Sequence, residues 1–142
     1  VTLTIKSYEK DGVSHVDIDS TATGGIKGTS EYRILDWQPR PHEDHIFGSL
    51  STKNRWIKKD GPELAAHDDF LKEGWLDEKV GPNGEELIEC YAINESGGWE
   101  GKQIWGFSLL DGKRWHTRRI VVSKGSEAVK VRIYYSYEGK TA

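Results

Sequence analysis

The chain has 142 residues, a formal net charge of −3 and 30 % charged residues of both signs. That balance excludes the basic footprint of a nucleic-acid or anionic-membrane binder, and the length suits one domain, residues 1–142, with a single core. Hydrophobic residues reach only 35 %, yet aromatics reach 11 %, with six Trp and six Tyr. Few aliphatics and many amphipathic rings suit a thin-walled structure whose interior is wet or ligand-filled.

Val1–Glu9 alternates in polarity, Asp11-Gly12 is a type I′ turn signal, and Val13–Ala22 returns. With Lys10 opposite Val13, Ile5 meets Ile18, Ser7 meets Val16, and Lys6 faces Asp17, so the faces agree on both strands. Thr23-Gly24-Gly25 breaks the run. Lys27–Trp37 resumes as a strand, which Pro39 and Pro41 end because proline offers no ladder donor. Asp44–Lys58 reads as one bent strand or two short ones, with Gly48 or Ser51–Asn54 as the break. One short helix is predicted over Glu63–Glu73, with Pro62 at its start and Gly74 at its C′ position.

Gly81-Pro82-Asn83-Gly84 is a turn, followed by strands at Glu86–Ile93 and Gly101–Leu110. Asp111-Gly112 then forms a two-residue hairpin loop that pairs Leu110 with Lys113, Ser108 with Trp115, Phe107 with His116 and Trp105 with Arg118. Ser123–Glu127 makes the last turn, and Ala128–Tyr137 closes the chain. These elements predict an all-β fold: a single antiparallel meander β-barrel of eight or nine strands with one short helix.

No apolar run approaches the roughly 18–20 residues of a membrane span. Cys90 is the only cysteine, so no intramolecular disulfide forms and a cytoplasmic location is expected. There is no methionine, so Val1 reads as a trimmed start and secretion stays open. Asn94-Glu95-Ser96 matches the N-glycosylation pattern.

Arg132-Ile133-Tyr134 on the last strand resembles the closing strand of the intracellular fatty-acid-binding proteins. That likeness implies that Arg132 and Tyr134 point inward and clamp a carboxylate. The alternative is an exposed Arg/Tyr pair beside an inward Val129, Val131, Ile133, Tyr135 row. The stretch TGGIKGTSEYRILDW, with HEDHIFGSL after it, resembles a group of small uncharacterised fungal proteins associated with lipocalin-like (calycin) barrels. In that setting Gly24, Gly25 and Gly28 suit a barrel corner.

Trp105, Phe107, His116 and Arg118 share one face of the central hairpin and read as a pocket wall, or as an exposed cation–π cluster. On the opposite face, Gly106 and Ser108 leave space beside Trp115, with Thr117 and Arg119 as polar contacts. Either face could line the interior. His42, Glu43, Asp44 and His45 lack metal-site spacing and read as a charged loop, so no metal and no cofactor are expected. Asp17 and Asp19 suit a wet face, and Glu31 with Arg33 suits an ion pair.

The expected function is non-covalent binding of a hydrophobic or amphipathic small molecule inside the barrel. Trp105, Phe107, Trp115, His116, Arg118, Arg132 and Tyr134 are its candidate contacts. The alternative is a cofactor-independent isomerase, cyclase or hydrolase that uses a pocket His or carboxylate on the same barrel.

Overall fold

A computed structural model describes residues 2–22, 24, 26–44, 48–137 and 139. Among these residues nine strands alternate with turns, in the order β1 (Thr2–Lys10), β2 (Val13–Thr21), β3 (Lys27–Ile34), β4 (Arg40–Asp44), β5 (Gly48–Ile57), β6 (Leu87–Asn94), β7 (Trp99–Leu110), β8 (Lys113–Lys124) and β9 (Glu127–Tyr135). Two one-turn helices, α1 (Pro62–Ala65) and α2 (Asp69–Lys72), lie between β5 and β6. Among the described residues no helix is long and apolar enough to cross a membrane, which says nothing about strands.

Both Asp-Gly turns form as the residue types require. Asp11 and Gly12 sit at φ 54° and 76°, and Asp111 and Gly112 at 53° and 75°. The registers follow from them: Ile5 opposes Ile18, and Trp105 opposes Arg118. Three local expectations change. Pro41 lies inside β4, tolerated because β4 is an edge strand paired on one side only. His42 and Glu43 are therefore strand residues; His45 lies outside the described residues, as do Thr23 and Gly25. The expected single helix is two, because the Asp68 side chain accepts from the Phe70 N–H and starts a new turn there.

The larger difference is global. The strands form two sheets, a three-stranded β1-β2-β3 and a six-stranded β4 to β9 in chain order, and no ladder among the described residues closes them into one ring. The small sheet packs its Val16, Ile18 and neighbouring Leu35 against Cys90 and Trp105, on what becomes the inner face of the large sheet. The helical segment covers the outer face, where Leu64, Leu71 and Trp75 meet Ile57, Leu87 and Ile104. The central strands of the large sheet are thus covered on both sides.

Candidate functional site

Pairing across β6–β9 places Ile88, Trp105, Arg118 and Ile133 in one row on the inner face. Phe107, His116 and Tyr135 form the next. Trp105 is the hub. The Arg118 guanidinium lies 3.8 Å from its ring centroid, and Arg33 reaches over from β3 to 4.8 Å. His116 meets Trp105, Phe107 and Tyr135 at centroid distances of 6.3, 5.7 and 5.7 Å. The indole N–H of Trp105 donates to Gln103 Oε1 at 2.9 Å.

Two cations are thereby held in a nearly dry place. Arg118 is 8 % exposed and forms no ion pair among the described residues; its Nε donates to His116 Nε2 at 3.2 Å. Its Nη2, and the Nε of Arg33, are buried with no hydrogen-bond partner. Arg33 is otherwise tied, Nη1 to Asn54 at 2.9 Å and Nη2 to Glu31 at 3.2 Å. Burial, above all, lowers the Arg118 pKa, but guanidinium basicity keeps it charged. Burial and then the Arg118 charge push His116 down to about 4, while a hydrogen bond to the Gly106 backbone opposes the shift. His116 is therefore neutral near pH 7, and accepting from Arg118 puts its proton on Nδ1. Cys90, pushed up to about 11 by burial, stays a thiol.

The seven expected contacts divide between the faces. Trp105, Phe107, His116 and Arg118 stand together on the inner face, whereas Trp115, Arg132 and Tyr134 stand on the outer one. Tyr134 meets Trp115 edge-on at 6.4 Å, and Arg132 lies over the Phe70 ring at 5.0 Å. The space expected beside Gly106 is occupied: a Cβ there would meet Leu87 at 2.5 Å and Trp75 at 2.9 Å. Ser108 and Thr117, 2.5 Å apart, satisfy each other beneath them. Val129 and Val131, on the inner side of β9, remain 62 % and 39 % exposed and form an apolar shelf there. Asp17 accepts from Tyr8 and Asp19 from Ser30, on the small sheet's solvent side. Among the described residues no group of His, Cys, Asp and Glu is placed to hold a metal ion.

No family model and no solved structure matches the chain. Two curated fungal proteins do. Pericyclase pydY of Acremonium sp is 32 % identical over 149 residues, covering 100 % of this chain and 74 % of its own length. The chain belongs to this pericyclase family. Probable pericyclase scpY of Mollisia scopiformis is 31 % identical over 128 residues, covering 90 % of this chain and 64 % of its own length. The chain thus spans about two thirds to three quarters of these relatives. Both are named as enzymes, which favours the cyclase alternative over a passive binder. Neither comparison supports the fatty-acid-binding likeness of the last strand.

Sequence reasoning missed Arg33 as a neighbour of Trp105 and did not single out Gln103 as its hydrogen-bond partner. Arg33 was read only as Glu31's partner, and its reach across to Trp105 depends on how two sheets stack. Tyr135, expected in the alternative inward row of the last strand, joins the His116 row by register.

Proposed function

We propose that this chain is a pericyclase domain that folds a conjugated, amphipathic substrate against the inner face of an open, calycin-like cup. A pericyclic reaction redistributes bonding electrons around a ring of atoms and requires neither a nucleophile nor a proton carrier. Its barrier falls when a flexible chain is held in the cyclic geometry, and when a donor draws electron density toward a conjugated carbonyl or enolate oxygen. The Phe107 and Tyr135 rings, with the Val129–Val131 shelf, would hold the unsaturated body, and the buried Trp105 ring would back the two arginines. Arg118 would donate to the oxygen, seconded by Arg33.

The observation that carries this reading is the buried Nη2 of Arg118, an unpartnered charged donor stacked on Trp105. An unpaired buried charge is costly, and a fold that keeps one has a place for an acceptor. His116 is a positioning residue here: its neutral ring orients the guanidinium through Nε. The test is to incubate the purified protein with the substrate of the Acremonium pericyclase and follow cyclised product by chromatography. Formation of product above the uncatalysed rate is expected; a rate equal to buffer overturns the reading.

A further inference from the structure

The outer face carries a second arrangement that the pericyclase reading does not use. Under α1 lies a hollow of about 250 Å3, roughly the liquid volume of eight waters. Trp37 and Tyr91 wall it, Arg55 and Lys102 reach it from the sheet, and Glu63 and His67 bound it from the helical side. At its floor, Glu89 is almost fully buried between two partners: Arg55 Nε donates to Oε1 at 2.6 Å, and His67 Nε2 contacts Oε2.

Glu89 is thereby saturated, but Arg55 is not. Its guanidinium lies 3.9 Å from the Trp37 ring centroid, and its two Nη groups have no hydrogen bond among the described residues. Lys53 sits in the adjacent row with Tyr91 and Lys102, and among the described residues its Nζ is held only over the Trp37 and Tyr91 rings, at 4.2 and 5.5 Å. Among the described residues Lys102 has one loose partner, Glu100 at 3.8 Å, which already accepts from Tyr91 at 2.5 Å. Arg55 and Lys102 thus line a walled hollow with donors to spare, and Lys53 stands beside it over the Trp37 and Tyr91 rings that form its wall. The backbone supports the same wall: Trp37 is held at φ 59°, a conformation that costs a bulky residue about 1 kcal/mol or more. Its N–H donates to the Asn54 carbonyl at 2.8 Å, which fixes the ring beside Lys53 and Arg55.

We infer that this hollow is a second ligand site, for a small planar monocarboxylate with a hydrogen-bond donor at its far end. The carboxylate would meet the Arg55 fork, with Lys102 and Lys53 beside it. Glu63 on the opposite rim disfavours a dianion and accepts from the donor.

The probe is 4-hydroxybenzoate, titrated calorimetrically into the whole protein. Saturable one-to-one binding is expected, weakened about tenfold by Lys102→Gln and by Lys53→Gln at unchanged melting temperature. Arg55→Gln should weaken it further, though losing the Glu89 partner also destabilises that variant. Uncharged 4-hydroxybenzamide should not bind, and phosphate at equal ionic strength should not compete. Absence of saturable binding, equal competition by phosphate, or indifference to both lysine changes would each overturn the site. Arg118→Leu, on the other face, should leave this binding intact, so the two sites fail independently.

Discussion

Arg118 and Arg119 are consecutive residues on β8, and the pleat sends them to opposite faces of one sheet. Both are buried, at 8 % and 6 % exposure, and both lie over a tryptophan, Trp105 on one side and Trp75 on the other. Their bonding separates them. Arg119 Nη1 donates to the Phe70 and Glu73 carbonyls, capping the open end of α2 and pinning the helical segment to the sheet. Among the described residues Arg118 bonds only to the neutral His116 ring; each arginine keeps one buried donor unpartnered, Nη2 in Arg118 and Nε in Arg119, so the difference lies in the backbone anchorage that Arg118 lacks. Equal burial and equal stacking therefore do not imply equal roles. The guanidinium tied to backbone carbonyls serves the architecture even though its Nε stays unpartnered, whereas the one tied only to a side chain is the one the proposed function uses.

Exchanging each arginine for an apolar residue breaks this comparison most directly. Arg118→Leu should lose about 100- to 1,000-fold in cyclisation rate, the usual cost of removing a charged donor from a dry site. Its melting temperature should hold or rise, because an unpaired buried charge goes with it. Arg119→Ala should do the reverse: a loss of about 2–4 kcal/mol in urea unfolding from orphaned carbonyls and a cavity, with the rate per folded molecule retained. Were both variants to lose stability alike, the distinction would be void.

A smaller effect sharpens the outer face as packed. Gly106→Ala would drive a Cβ into Leu87 and Trp75 and should cost about 1–3 kcal/mol, read from the shift in urea midpoint. Gly101→Ala, whose Cβ would meet Trp99 at 3.8 Å, should be nearly silent. The smallest effect concerns His116. Its folded pKa of about 4 lies below the ordinary 6.5, so the unfolded chain binds more protons between them. Its contribution to stability should be complete above pH 6.5, fall by about 1 kcal/mol or more toward pH 4, and then level off. A His116→Gln variant should lose that slope in melting curves, while the carboxylates go on titrating in both proteins.

Much of the fold was legible because its signals are local. Asp11-Gly12 and Asp111-Gly112 dictate their turns, and each turn sets a register that every later pair obeys. Which face of the central hairpin lines the interior was not legible, and Thr117, Arg118 and Arg119 show why: all three are buried. A strand covered on both sides loses the alternation that tells inside from outside. The candidate site suffered from the same ambiguity, so residues from opposite faces were grouped together. The aromatic–cation cluster itself was visible, since Trp105, Phe107, His116 and Arg118 meet by register alone. Arg33 was not, because no pattern within β3 announces what lies across a sheet-to-sheet gap. The room beside Gly106 was read as part of a hollow, but Leu87 and Trp75 fill it, the latter from a segment with no regular period.

Within each sheet every strand lies beside its neighbour in the chain. Pairing therefore never waits for a remote partner to arrive: each new ladder closes only a short loop, except across the helical segment between β5 and β6. Loop closure of that kind sacrifices little chain entropy. For a protein built so heavily from strands, refolding should accordingly be quick, with hairpins zipping outward from two-residue bends and the stacking of the sheets coming last.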